Sequence, residues 1–282
     1  MKDTILLSEY LKLQLLKLEE TNVQEPKNKS EMIIEHYLDI SKVDLYLKDI
    51  LLSKKNINAL NIMFDNLMLN KPVQHIIEKT YFYDNSFFTP PGVFIPRPET
   101  ELLVDCAVDF LSSNKRKLKI LDLCTGSGCV VLSIAKKFPK NDFIGLDKSN
   151  FAIEVAEKNC QLLNPDNVQF LKKDMFKMEI NQIDLLLCNP PYLAKNEIES
   201  LDESVRNHDP EAALTDFGDG TSFYKFLILN FQSLMSKNGT MLIELPHSPV
   251  TKHIELFNKE FNKNNYTFLK DFEGKNRVIK IY

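Results

Sequence analysis

From Lys119 onward the chain alternates short apolar runs with helical patterns, and this alternation limits its fold more than any other feature. Ile120–Leu123, Phe143–Leu146, Val168–Leu171, Ile183–Leu187 and Thr240–Leu245 are short and largely apolar, as strands covered on both faces must be. Helical patterns lie between most of them, at Cys129–Lys137, Phe151–Leu163 and Ser222–Ser236. That order predicts a doubly wound α/β sheet, mostly parallel. The tail breaks the pattern. Tyr266–Asp271 and Val278–Tyr282 flank a turn at Glu273-Gly274-Lys275-Asn276, and strands joined by so short a connection run antiparallel.

The N-terminal part has a different texture. Residues 1–71 contain no glycine and one proline, Pro26. Leu6, Leu11, Leu15 and Leu18 recur at helical spacing, as do Ile33, Ile34, Tyr37 and Leu38. Ser41 with Asp44 reads as a capping box opening a helix that carries Leu45, Leu47, Ile50 and Leu51. Asn58 to Leu69 reads as a further helix. A small all-α domain over residues 1–71 is therefore expected. Val73 to Ile95 is rich in aromatic and β-branched residues, with Asp84-Asn85 as a turn signal, so residues 72–96 read as a β-hairpin linker. Pro96 and Pro98 stiffen its exit, and Glu99 to Phe110 follows as a helix with acidic residues in its first turn. Residues 97–282 form the α/β domain in this reading.

Charge and composition narrow the classes of function. No apolar run approaches the roughly 20 residues that cross a bilayer, and the N-terminus lacks a secretory pattern, so a cytoplasmic protein without membrane attachment is expected. Five cysteines, an odd number without a CxxC pair, indicate reduced thiols. His247 and His253 lie close together without a cysteine pair, and no metal site is expected. The net charge of −4 argues against non-specific nucleic-acid binding. A monomer with no stable nucleic-acid partner is the expectation.

Leu121-Asp122-Leu123-Cys124-Thr125-Gly126-Ser127-Gly128 stands where the first strand gives way to a helix, and ligands of such sheets lie beyond the carboxyl ends of the strands. A dinucleotide fingerprint would place a third small residue at position 131, which is Val131. Asp122 ahead of the loop suits a positively charged amino-acid moiety. Asp147 ends the second strand about 20 residues later, where a carboxylate takes ribose hydroxyls. Asp174 follows the third strand, placed to accept from an adenine amino group, with Met175 and Phe176 flanking the ring. Together these point to S-adenosylmethionine rather than a dinucleotide.

Asn189-Pro190-Pro191-Tyr192 follows the fourth strand. Two prolines fix φ and remove two donors, leaving rigid backbone with free carbonyls. The Asn189 side-chain oxygen and the Pro190 carbonyl can accept the two hydrogens of a planar NH₂ group, while Tyr192 offers an aromatic face. This arrangement aims a nitrogen lone pair at a methyl donor. Adenine N6, cytosine N4, guanine N2 and a glutamine side chain all present that chemistry.

A mostly parallel sheet closed by an antiparallel hairpin is the layout of class I (Rossmann-like) methyltransferases, which this half resembles. Ile95-Pro96-Arg97-Pro98-Glu99-Thr100-Glu101, the glycine loop, Asn189-Pro190-Pro191-Tyr192, and Asp209-Pro210-Glu211-Ala212-Ala213-Leu214 with Asp219-Gly220 and Phe223-Tyr224 together resemble the PrmC/HemK family of peptide chain release factor glutamine methyltransferases. The resemblance is close over residues 72–282. It implies N5-methylation of the glutamine in the Gly-Gly-Gln motif of class I release factors. Carried over, Cys124 to Gly128, Asp147, Met175 and Asn189 would contact the cofactor, and Asn189 to Tyr192 the glutamine. Arg97 and Glu99 would help close the cleft. Glu78 and Cys124 stand where the family usually has glycine. Met175 stands where it often has a bulkier or branched group. Glu244-Leu245-Pro246-His247-Ser248 replaces its Glu-Ile-Gly run, a change expected to reshape a loop beside the cofactor.

Overall fold

A computed structural model describes residues 4–246, 251–262 and 265–282; the His247-Ser248 part of the altered run lies outside them. The chain divides into two compact units, residues 1–79 with 202–208, and residues 80–201 with 209–282.

The first unit begins with strand β1 (Thr4–Leu6) and helices α1 (Leu7–Leu18), α2 (Pro26–Leu38) and α3 (Lys42–Leu47). Strand β2 (Leu51–Ser53) and helices α4 (Lys54–Met68) and α5 (Val73–Ile77) follow. Ser41 caps α3 as its sequence suggests, its hydroxyl accepting from the Asp44 N–H at 3.1 Å. The helix stops at Leu47 instead of running on through Leu51. Leu51, Leu52 and Ser53 alternate exposed, buried, exposed, and they pair antiparallel with Thr4–Leu6. Ser53 then accepts from the Asn56 N–H at 3.3 Å, which starts α4 four residues earlier than the apolar spacing alone indicates. Leu7, Leu18, Ile33, Ile34, Leu52, Leu60 and Phe64 form the apolar centre of this unit, each worth about 1.5–3 kcal/mol on burial.

Val73–Ile77 is helical rather than part of the hairpin, opened by Pro72 and closed by Glu78 in left-handed backbone (φ 51°). The hairpin is β3 (Lys79–Phe82) with β4 (Asn85–Phe88). Tyr83 and Asp84 take its positive-φ positions, one residue before the expected turn.

The second unit carries α6 (Glu101–Ser112), β5 (Lys119–Leu123), α7 (Cys129–Ala135), β6 (Asp142–Asp147), α8 (Asn150–Leu163), β7 (Val168–Lys172) and β8 (Ile183–Cys188). After them come the short helices α9 (Glu203–Arg206) and α10 (Glu211–Leu214), then α11 (Ser222–Leu234), β9 (Met235–Glu244), α12 (Thr251–Glu260), β10 (Tyr266–Lys270) and β11 (Asn276–Ile281). Of these, α9 groups with the first unit, where the Asn70 side-chain amide donates to Glu203 at 3.3 Å.

Seven strands form one sheet in the order β10-β11-β9-β8-β5-β6-β7. The five from β9 to β7 are parallel, and β11 runs antiparallel between β9 and β10. This is the expected class I methyltransferase sheet with its C-terminal antiparallel hairpin. One apolar cluster holds Leu121, Leu186, Tyr224 and Ile243, and another holds Ile120, Leu185, Val131 and Leu242. Adjacent residues of one strand fall in different clusters, as period-2 alternation on a sheet covered on both sides requires.

Candidate active site

The chain winds from β5 outward to β6 and β7, then returns to place β8 on the opposite side of β5. Strand order therefore reverses at β5, the kind of position where open α/β sheets bind ligands. Leu123 pairs with Cys188 of β8 and with Leu146 of β6. The residues that follow these strand ends, Cys124, Asn189 and Asp147, emerge side by side. In the same way Cys188 pairs with Ile243, which sets Glu244 beside Asn189.

The glycine loop turns through positive φ at Cys124 (58°), Gly126 (55°) and Gly128 (78°). A Cβ at Gly128 would lie 3.1–3.2 Å from Leu132, Ala156 and Phe170, whereas one at Gly126 would meet, among the described residues beyond its chain neighbours, only the Cys124 carbonyl at 4.0 Å. Gly128 thus serves close helix–sheet packing, and Gly126 leaves its outer side clear. The loop is fastened at several points. The Thr125 N–H donates to the Leu146 carbonyl at 3.1 Å, and its hydroxyl donates to Asp122 at 2.6 Å. The Gly126 N–H donates to Asp147 at 3.0 Å, and the Ser149 N–H donates to the same carboxylate at 2.9 Å. The Asn159 amide donates to the Ser127 and Phe88 carbonyls at 2.9 and 3.0 Å and accepts from the Phe88 N–H at 2.7 Å. This fully buried residue ties the hairpin to the loop.

Burial pushes the Asp122 carboxyl up to about 7, against the pull of its Thr125 hydrogen bond, and burial likewise raises Asp147. Two desolvated carboxylates next to uncovered glycine backbone fit a cationic cofactor such as S-adenosylmethionine, since each gains by meeting positive charge. At the exit of β7, Asp174 accepts from the Phe176 N–H at 3.1 Å and caps a short 3₁₀ turn. Met175 is buried in the cluster that holds Leu146 and Phe223. The Phe176 ring is exposed and lies 5.1 Å from both Phe223 and Phe226.

In the segment after β8, Pro190 and Pro191 are buried while Asn189 and Tyr192 are half-buried. The Asn189 side-chain amide donates to the Thr100 hydroxyl at 3.1 Å. Behind Tyr192 the chain is held from the other side. The Leu193 N–H donates to the Leu214 carbonyl at 3.0 Å, and the Lys195 N–H to the Gly218 carbonyl at 3.0 Å. Asp216 gathers the Gly218, Gly220 and Ser222 N–H groups at 2.8, 2.8 and 3.0 Å, with the Ser222 hydroxyl at 2.7 Å. Burial, followed by the Glu244 charge, keeps the Tyr192 phenol protonated.

Arg97 pairs with the buried Asp209 and lies 5.0 Å over the Phe94 ring. Both Arg97 and Glu99 act electrostatically on Tyr192. The sheet thus gathers Cys124 to Gly128, Asp147 and Asn189 to Tyr192, while Asp174 and Met175 stand at the exit of β7. Sequence reasoning left out Thr100, Asn159 and Asp216, and it treated Glu244 only as part of an altered run. Thr100 sits inside the Ile95–Glu101 segment, and Asn159 was visible as a lone amide on an otherwise apolar helix stripe. Asp216 gave no signal, because its role is to collect backbone donors within a loop.

Residues 9–77 match the family described as the PrmC N-terminal domain, and residues 114–278 match the methyltransferase domain family. A release factor glutamine methyltransferase of Thermodesulfovibrio yellowstonii is 34% identical over 253 residues, covering 89% of this chain and 90% of that protein. The enzyme of that name from Flavobacterium psychrophilum is 32% identical over 256 residues, covering 89% of each. The one from Mycoplasma mycoides subsp. mycoides is 33% identical over 279 residues, covering 94% of this chain and 96% of that protein. With both parts of the chain matched and full-length relatives at this identity, the chain belongs to the release factor glutamine methyltransferase family.

Proposed function

We propose that this protein methylates the side-chain amide nitrogen, N5, of the glutamine in the Gly-Gly-Gln motif of class I peptide chain release factors, using S-adenosylmethionine. One observation carries the site assignment. The Asn189 NH₂ is engaged by Thr100, so its oxygen is left to accept from a substrate amide. S-adenosylmethionine, when bound, supplies an electrophilic methyl group on a sulfonium. Cys124 to Gly128 would hold its amino-acid end, Asp147 its ribose, and Asp174 with Met175 its adenine. Asn189 and the Pro190 carbonyl take the two amide hydrogens, drawing the nitrogen lone pair out of conjugation. Pro191 keeps this backbone rigid, and Tyr192 stacks on the planar amide. Arg97 and Glu99 line the approach. Such positioning is worth roughly 7–11 kcal/mol in favourable cases.

Residues 1–71 would recognise the release factor, 72–96 link the parts, and 97–282 carry the chemistry. The protein works as a cytoplasmic monomer without stable nucleic acid in this reading. Incubation with S-adenosylmethionine and a release factor, followed by mass analysis of the Gly-Gly-Gln peptide, tests it. A gain of one methyl on that glutamine is expected; label appearing in nucleic acid and not in protein would refute it.

A further inference from the structure

Thr100 lies more than ten residues outside the glycine loop and the Asn189–Tyr192 segment, yet it touches the side chain on which the proposed chemistry turns. It is buried at the start of α6, and its hydroxyl oxygen receives the Asn189 amide at 3.1 Å. A hydroxyl has one hydrogen, and the nearby Glu244 carboxyl, whose charged form the Thr100 side chain favours, is an acceptor for it. Glu244 ends β9 next to Asn189 and is itself buried, with its Oε2 lacking a partner among the described residues. Burial raises this carboxyl to about 7, and the Thr100 hydrogen bond together with the Arg277 charge pulls it down.

We infer that Thr100, oriented by Glu244, is a positioning residue that fixes which way the Asn189 amide faces. The two ends of an asparagine amide are nearly the same in shape, so packing alone does not choose between them. With its hydrogen directed to Glu244, the Thr100 oxygen can only accept. It therefore selects the Asn189 NH₂ and turns Oδ1 toward the substrate nitrogen. Were the amide reversed, two oxygens would face each other and the substrate would meet a donor where it needs an acceptor.

This inference rests on the glutamine-methylation reading, and the experiment separates the two. The full-length enzyme, Thr100→Val and Thr100→Ser are assayed on a release factor at pH 8, where Glu244 is ionised. Calorimetry with S-adenosylhomocysteine reports the integrity of the cofactor site. Valine keeps the shape and loses the hydroxyl; serine keeps the hydroxyl. Expected for Thr100→Val is a kcat fall of roughly 10- to 100-fold, with KM and S-adenosylhomocysteine affinity within about twofold. Thr100→Ser should stay near wild type, and Thr100→Val should cost nothing further in an Asn189→Ala background. Equal losses in the valine and serine variants, or a valine variant as fast as wild type, would overturn the positioning role. Absence of methylation by the wild type would instead overturn the function from which it starts.

Discussion

Gly220 sits directly beneath the Tyr192 carbonyl, in left-handed backbone (φ 79°), so that a Cβ there would collide with that oxygen. The Ala194 N–H side of the same turn is 3.1 Å from the imagined Cβ. The obstacle is backbone on both sides, and it belongs to the segment proposed to hold the substrate. Gly220→Ala should therefore lose about 1–3 kcal/mol of stability and displace Tyr192. A kcat reduction on the order of 100-fold is expected, measured beside chemical denaturation. Normal activity in a stable Gly220→Ala protein would show that the 214–222 segment does not hold the Asn189–Tyr192 segment in a working position.

Asp147 meets the glycine loop through the Gly126 N–H and its own helix through the Ser149 N–H. Both are hydrogen bonds to a carboxylate, worth about 1.5–3 kcal/mol each, and cofactor hydroxyls would add to them. Asp147→Ala should weaken S-adenosylhomocysteine binding by roughly tenfold or more, with kcat at saturating cofactor less affected. Calorimetry on the variant reads this directly. An unchanged Kd would remove Asp147 from the cofactor site.

Asp122 and Glu244 are each pushed up to about 7, by burial first. In the folded, cofactor-free protein they keep their protons to near neutrality, while in the unfolded chain they release them near pH 4. The folded state binds more protons across that window, so stability falls as pH rises from about 4 to about 7. Asp122→Asn keeps an acceptor for the Thr125 hydroxyl and removes half of this effect. Melting temperatures of wild type and variant at pH 5 and 7.5 should diverge in the variant's favour at the higher pH. A constant gap would show that Asp122 does not titrate in this range.

How much of this was legible in the sequence depended on whether the signal was local. The β5, β6, β7 and β8 strands announce themselves as short apolar runs, and the helical patterns between most of them mark the sheet as mostly parallel. Val73–Ile77 misled because Val and Ile favour strands, whereas Pro72 and the left-handed Glu78 frame a helical turn. The end of α3 at Leu47 was hidden for another reason. Leu51–Ser53 is recruited by Thr4–Leu6, a partner almost fifty residues away that no window around position 50 contains. The site divides likewise. Cys124 to Gly128 and Asn189 to Tyr192 are contiguous motifs, while the bond from Asn189 to Thr100 spans 89 residues and exists only because α6, which Thr100 opens, packs against β8 and β9. The glycine preference at positions 78 and 124 had a physical basis that the departures conceal, since Glu78 and Cys124 both adopt positive φ.

Arg97 and Asp209 form a pair in which the carboxylate side chain is wholly buried and one of its oxygens, Oδ1, has no partner among the described residues. Burial raises Asp209 to about 6, and Arg97 restrains it from going higher. Removing the arginine leaves a buried charge at neutral pH, a loss of about 3 kcal/mol or more when nothing else compensates. The carboxyl has a way out at lower pH, because without Arg97 its pKa rises further and it takes up a proton. Arg97→Ala should consequently destabilise the protein strongly at pH 8 and by clearly less at pH 5.5, as read from denaturant midpoints at the two values. Because Asp209 begins the 209–214 segment that supports Leu193, the same variant should lose activity more steeply than wild type as pH rises. An equal loss of stability at both pH values would mean that Arg97 contributes through its packing on Phe94 and not through the Asp209 charge.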